Sequence, residues 1–211
     1  MEIIYVFDVL CGWCFGFSPV MQEMYKRHAD MKFTVISGGL VTGSRVGPMS
    51  NMAGYIEKAI PGLEKTTGVI VGEEFKKQLK IGARIQNSLT PAIALCILKE
   101  MLPDNQVPLA HAIQQAYFVK GEDLENEDTY AAIAKSFDLD EVEFKRKMAD
   151  PRYENMANEE FEQAKKWGIT GFPAVILNRG DSLIAISNGY TTFADLEKRL
   201  ESAITMEVNN K

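Results

Sequence analysis

Only three cysteines occur in 211 residues, which excludes a small secreted scaffold stapled by disulfides. No apolar stretch approaches the roughly 20 residues of a membrane span, so no membrane partner is expected. There is no long basic run, and the net charge is −6; nucleic acid is therefore not an expected partner. The N-terminus lacks a basic n-region, and Ile3-Ile4-Tyr5-Val6-Phe7 is too short for a signal-peptide core. The expected location is the cytoplasm, where a Cys-x-x-Cys pair is more often catalytic or metal-binding than structural. Internal repeats and low-complexity segments are also lacking. What is there, 46% hydrophobic residues, suffices for one large domain or for a core domain carrying an insertion.

One stretch organises the rest. Ile3 to Phe7 has the length and residue types of a buried strand. Ser18-Pro19-Val20-Met21-Gln22-Glu23-Met24-Tyr25-Lys26-Arg27 reads as a helix, with Pro19 removing one of its internal hydrogen bonds. Between them lies Asp8-Val9-Leu10-Cys11-Gly12-Trp13-Cys14-Phe15-Gly16-Phe17. Two cysteines thus sit where a strand hands over to a helix. The first helical turn has unpaired N–H groups and the positive end of the macrodipole. A thiolate at Cys11 is stabilised there and its pKa falls. Cys14, one turn on, shares its face and can close a disulfide with it.

Met31 to Ile36 reads as a second strand, which makes a βαβ unit with a parallel pair. Residues 41–70 are rich in Gly, Ser and Pro and read as loop with a short helix around Asn51 to Ala59. A helical block follows. Thr90-Pro91 resembles an N-cap with proline at the first helical position, and Ala92 to Leu98 is apolar all round, as in a buried helix. Asp140 with Glu143 reads as a capping box, and Leu139 with Phe144 as a hydrophobic staple. Ala157, Phe161, Ala164 and Trp167 stripe a last amphipathic helix, with Gly168 suited to its C-terminal cap. Ala174 to Leu177 and Leu183 to Ile186 then flank the turn Asn178-Arg179-Gly180-Asp181. Thr192 with Asp195 starts a final helix striped by Phe193, Leu196, Leu200 and Ile204.

The order βαβ, helices, ββα, together with Cys11-Gly12-Trp13-Cys14-Phe15-Gly16-Phe17, Gly38-Gly39-Leu40, Asn87-Ser88-Leu89, Ala116 to Asp123 and Gly168-Ile169-Thr170-Gly171-Phe172-Pro173, resembles the DsbA family of thioredoxin-like proteins. It is most similar to the cytoplasmic group related to FrnE, the predicted protein-disulfide isomerases. The resemblance implies an α/β thioredoxin fold with a large all-helical insertion: residues 1–48 and 169–211 as the two parts of the thioredoxin domain, residues 49–168 as the helical domain. It implies a cis Pro173 packed against the cysteines, a state open to X–Pro bonds at modest cost. It also implies that Phe172 offers its backbone edge to an extended substrate segment. Periplasmic oxidases of this type resemble Cys-Pro-His-Cys. Here Gly12-Trp13 fills the middle, so a strongly oxidising potential does not carry over.

On this reading Cys11 is the nucleophile and Cys14 resolves the mixed disulfide, acting on disulfide- or thiol-containing proteins or small molecules, with a cellular thiol as reductant. Gly12, Trp13, Phe15, Phe172 and Pro173 are the expected substrate-binding residues, with Trp13 exposed between the cysteines. Asp8 is either a buried carboxylate taking protons from Cys14 through water or a cap or turn residue. No bound cofactor is expected; glutathione is a possible co-substrate. Zinc would need two more ligands than the Cys-x-x-Cys supplies. Cys96, His28 and His111 are the candidates, Cys96 reads better as a small buried hydrophobe, and no metal is expected. A second function follows from the same resemblance: a glutathione-dependent isomerase or transferase related to kappa-class transferases and 2-hydroxychromene-2-carboxylate isomerases. Those relatives usually place serine where Cys11 stands. A third is a non-enzymatic binding module with an idle thiol pair.

Overall fold

The computed structural model describes residues 1–180 and 182–205. Strand β1 (Glu2–Phe7) leads through a tight turn into helix α1 (Gly12–Arg27), and β2 (Lys32–Ser37) returns parallel to β1, with Val6 opposite Ile36. The chain closes with β5 (Ala174–Asn178), β6 (Leu183–Asn188) and α9 (Phe193–Thr205). Between these parts lie α2 (Ala53–Thr67), α3 (Glu73–Ile81), α4 (Leu89–Met101), α5 (Gln106–Phe118), α6 (Glu127–Ser136), α7 (Glu141–Met148) and α8 (Pro151–Lys166). The main sheet has the order β2-β1-β5-β6, with β5 antiparallel to both neighbours. This is the expected α/β thioredoxin arrangement, βαβ…ββα around a run of helices.

Side-chain alternation in β1 explains its central place. Ile3, Tyr5 and Phe7 point into the larger core, with α1, α4, α5 and α9. Ile4 and Val6 point the other way, against Ala164 of α8 with Ala174 and Ile176. A strand buried on both faces reads as a continuous apolar run. Burying each such side chain contributes about 1.5–3 kcal/mol.

β2 is an edge strand, and three helices cover its edge. Gln106 of α5 accepts the Val35 N–H at 2.9 Å, and Glu160 of α8 accepts the Ser37 N–H at 2.8 Å. Lys99 of α4 donates to the Val35 carbonyl at 2.7 Å and pairs with Glu160. The helical block is thereby hydrogen-bonded to the sheet, and the edge is closed to a further strand.

Several local expectations need correction. α2 runs for 15 residues straight through Pro61 and Gly62, well beyond the short helix read at Asn51 to Ala59. Pro61 and Gly62 are on the exposed side, while Ile60 and Leu63 are buried. Leu63 and Thr67 pack against Gly12 and Gly16 of α1, and this packing outweighs the two weak residues. Two-residue strands also pair, β3 (Gly47–Pro48) where loop was expected and β4 (Ile85–Gln86) within the stretch expected to be helical. α4 begins two residues early: Asn87, not Thr90, accepts the Leu89 N–H at 3.0 Å, and Pro91 falls inside the first turn. Asp140 does cap α7, accepting from Val142 and Glu143, but the Glu143 carboxylate turns to Arg146 instead of closing the box. The β5–β6 turn is held by Asn178 accepting from Gly180 at 2.9 Å; Asp181 lies outside the described residues. No helix among the described residues is long and apolar enough to cross a membrane.

Candidate active site

The C-terminal ends of β1 and β2 and the start of β5 meet at one end of the sheet. Cys11 caps α1 in an extended conformation, φ −80° and ψ 113°, and its N–H bonds the Asp8 carbonyl at 3.1 Å. Cys11 keeps 9% of its surface exposed and Cys14 none, so only Cys11 is open to a partner. Both are free thiols. The Cys14 thiol directed at the Cys11 sulfur is the main cause lowering the Cys11 pKa; burial opposes it, and the N–H groups of Cys14 and Trp13 add to it. Burial pushes Cys14 well above the ordinary thiol range, and the Cys11 sulfur pushes it further. The two thiols are thus split into an ionisable outer one and a protonated inner one.

The Phe172–Pro173 bond is cis, and the Cys11 thiol lies 3.6 Å from the Phe172 carbonyl. The half-buried Phe172 ring is seated over Gly38, where an added Cβ would come within 2.1 Å of it. Gly39, at φ +71°, then turns the chain so that the Leu40 N–H reaches Asp8.

Asp8 is a turn residue and a buried one. One carboxylate oxygen accepts the Leu10 N–H at 3.0 Å, as in a turn, and the other accepts the Leu40 N–H at 2.8 Å. It is also buried, and burial raises its pKa although these N–H groups and Ser88 oppose the rise. A cavity of about 10 Å³ behind it has Asp8, Ser37 and Ser88 as its polar wall, a size near that of one water.

Of the expected substrate-binding residues, Trp13 is 43% exposed, its ring 6.3 Å from that of Tyr190. Gly12 and Phe172 are half-buried beside Cys11, and Pro173 is buried behind Phe172 in the chain. Phe15 needs correction: it is buried and stacks on Phe118 at 4.7 Å. Position i+4 from Cys11 on a helix whose inner face is packed by α5 points inward, which the motif alone does not reveal. Sequence reasoning also missed Ser88, Tyr5 and Gln114. Ser88 lies within a quoted motif but bears on Asp8 only through the fold.

The residues considered for zinc are engaged separately. Cys96 is buried in α4, its thiol pushed up to about 12 by burial. His28 bonds Glu197 at 2.9 Å, and His111 bonds the Ser18 hydroxyl at 2.6 Å. No group of three or more His, Cys, Asp or Glu is placed to hold a metal among the described residues.

Residues 2–201 match the family profile described as DSBA-like thioredoxin domain. No curated protein sequence matches. Among solved structures the chain is similar to a candidate protein disulfide isomerase from Nitrosomonas europaea, with TM-score 0.85 and 20% identity over 98% of both chains. It is similar to the cytosolic disulfide reductase DsbM from Pseudomonas aeruginosa, with TM-score 0.81 and 19% identity over 98% of this chain and 100% of that one. That reductase is also solved with GSH. A 2-hydroxychromene-2-carboxylate isomerase follows at TM-score 0.65 and 14% identity, over 98% and 95%. At these identities the likeness is one of fold.

Proposed function

Because the chain belongs to the DSBA-like thioredoxin domain family, we propose that it is a cytoplasmic thiol–disulfide oxidoreductase working through Cys11 and Cys14. The observation that carries this is the split of the pair. The outer thiol has a lowered pKa and the inner one, sealed from solvent, a raised pKa. The Cys11 thiolate attacks one sulfur of a substrate disulfide; a Cys11–substrate disulfide forms and the other substrate sulfur leaves as thiolate. Cys14 then gives up its proton, attacks the Cys11 sulfur and expels the second substrate thiolate. Asp8 is the acceptor for that proton, being a buried carboxylate with a raised pKa next to the pair. A cellular thiol returns the Cys11–Cys14 disulfide to the dithiol; run backward, the sequence donates a disulfide. Trp13, Gly12 and Phe172 form the contact surface around Cys11, with the exposed Trp13 as its apolar part and the buried Pro173 holding Phe172 in place. The cytoplasmic placement is supported by the cysteine usage and by the likeness to a cytosolic reductase.

The test is trapping. With a protein disulfide as substrate, Cys14→Ser accumulates one mixed disulfide per chain at Cys11, and Cys11→Ser accumulates none. A Cys14→Ser chain that traps no mixed disulfide, with one equivalent of zinc carried by the wild-type chain, would overturn the proposal.

The glutathione-dependent reading keeps one specific support, the shared fold of the chromene-carboxylate isomerase. A Cys11→Ser/Cys14→Ser double variant that still turns over a glutathione conjugate would favour it. The intact cysteine pair speaks for glutathione as reductant rather than as bound cofactor.

A further inference from the structure

The exchange proposed above, on which this inference rests, places negative charge on the sulfur of Cys14 during its second step. No solvent reaches that sulfur. A thiolate forming there needs a hydrogen-bond donor from the protein. Ionisable groups facing Cys14 come from β1 and the turn after it, Tyr5 and Asp8, and from Cys11 on its own helix. Asp8 takes the proton, and its two oxygens are already engaged by the Leu10 and Leu40 N–H groups. Tyr5 is different. Its hydroxyl is fully enclosed, faces the Cys14 thiol, and donates to the Cys14 carbonyl at 3.4 Å. That bond is long, near the limit for an O–H donor, so the hydroxyl is only loosely committed to it.

Gln114 of α5 lies behind Tyr5. Its side chain faces the Tyr5 hydroxyl and it is 1% exposed. Its Nε2 has no hydrogen-bond partner, the one such buried side-chain nitrogen or oxygen found among the described residues. A buried amide without a partner calls for a functional or structural reason. Two imperfectly used donors thus stand in line behind the one sulfur that must ionise without solvent.

We propose that Gln114 and Tyr5 form a donor chain for Cys14: Gln114 Nε2–H donates to the Tyr5 oxygen, and the Tyr5 O–H turns from the Cys14 carbonyl to the Cys14 sulfur as the thiolate forms. Tyr5 is then a catalytic residue of the resolving step and Gln114 a positioning residue acting through it. The Cys14 proton passes to the Asp8 carboxylate. The electron pair left on sulfur makes the Cys11–Cys14 bond, and the Cys11–substrate bond breaks with its electrons leaving on the substrate thiolate. Tyr5 keeps its own proton throughout, since burial holds the phenol well above its usual pKa. Hydrogen bonds to a charged sulfur polarise one another along such a chain, which gives the distant Gln114 its effect.

The test uses 5,5′-dithiobis(2-nitrobenzoate) on the reduced full-length chain in a stopped-flow instrument. The first equivalent of coloured thiolate reports attack by Cys11, the second reports resolution by Cys14. Tyr5→Phe is expected to leave the first phase within about twofold of wild type and to slow the second about tenfold, the loss of one charge-assisted hydrogen bond. The pH midpoint of the second phase is expected to move up, which a packing defect would not do. Gln114→Met is expected to slow the second phase severalfold, with no added effect in the double variant. Should Tyr5→Phe fail to fold, Gln114→Met, which removes the amide and keeps the length of the side chain, still decides. Second phases at the wild-type rate, or both phases slowed equally with an unmoved midpoint, overturn the donor chain alone. Wild-type chain that releases no second equivalent overturns the exchange reading itself.

Discussion

Asp8 has a carboxylate where the chain most needs a dry, protected thiol pair. Its charge raises the pKa of both cysteines, so it works against ionisation of Cys11, and in the proposed exchange it takes the Cys14 proton. Asp8→Asn removes the charge and keeps the shape. The sign follows: with less repulsion the Cys11 thiolate forms at lower pH, so the midpoint of its iodoacetamide alkylation rate is expected to fall. A rise, or no change, would show that the carboxylate is not felt at the sulfur. Asparagine has a single acceptor oxygen for the two N–H groups of Leu10 and Leu40 that Asp8 now serves. One of them then faces an amide donor, so stability is expected to drop by about 1–3 kcal/mol. The sequence singled out Asp8 but left cap and buried carboxylate as alternatives. Which applies depends on Leu40 and Ser88, which lie 32 and 80 positions away and reach Asp8 only through the fold.

At the scale of elements, the question is how the helical block is fastened to the sheet. The Lys99–Glu160 pair is the clearest fastening, with side chains only 11% and 14% exposed. Removing one partner strands the other charge in the interior. Glu160→Ala is expected to lower stability by about 3–5 kcal/mol in urea unfolding. The exposed Lys165–Glu162 pair on the same helix, at 62% and 60%, is the comparison: Glu162→Ala is expected to leave the unfolding midpoint nearly unchanged. Equal losses would mean that the pair does not secure α8 to β2. α2 offers the opposite experiment. Gly62 lies in its interior with nothing within 4 Å of an added Cβ. Gly62→Ala is expected to stabilise by about 1 kcal/mol through helix propensity; destabilisation would mean the helix is distorted around Pro61. This helix shows where sequence reading stopped. β1, α1, β2, β5, β6 and α9 were legible because their apolar periods match what they bury. α2 was not, because Pro61 and Gly62 mark a breaker locally, while the compensation lies in Leu63 and Thr67 meeting the two glycines of α1.

The whole molecule is tied together by its core. One cluster of buried side chains takes in Phe7, Cys14 and Phe17 beside the sheet, Leu95, Leu109 and Tyr117 in the helical block, and Leu196 and Leu200 of α9. The cysteine pair therefore sits inside a core shared by the thioredoxin elements and the inserted helices. Asp8 is held from both sides in the same way, by Leu40 next to β2 and by Ser88 before α4. A helical block that could melt alone would uncover Tyr117, Leu95 and the inner face of α1, at a hydrophobic cost of tens of cal/mol for each Å² exposed. It would also open the route to Cys14. The reduced chain is accordingly expected to unfold in urea in a single transition. Helix content by far-ultraviolet circular dichroism, tryptophan emission, and labelling of Cys14 by a maleimide should share one midpoint. Cys14 is the decisive probe, because it is sealed at every side by elements from both parts of the chain. Labelling of Cys14 well below the midpoint of helix loss would mean that the site opens locally, and the inner thiol would then owe its protection to a movable cover rather than to the common core.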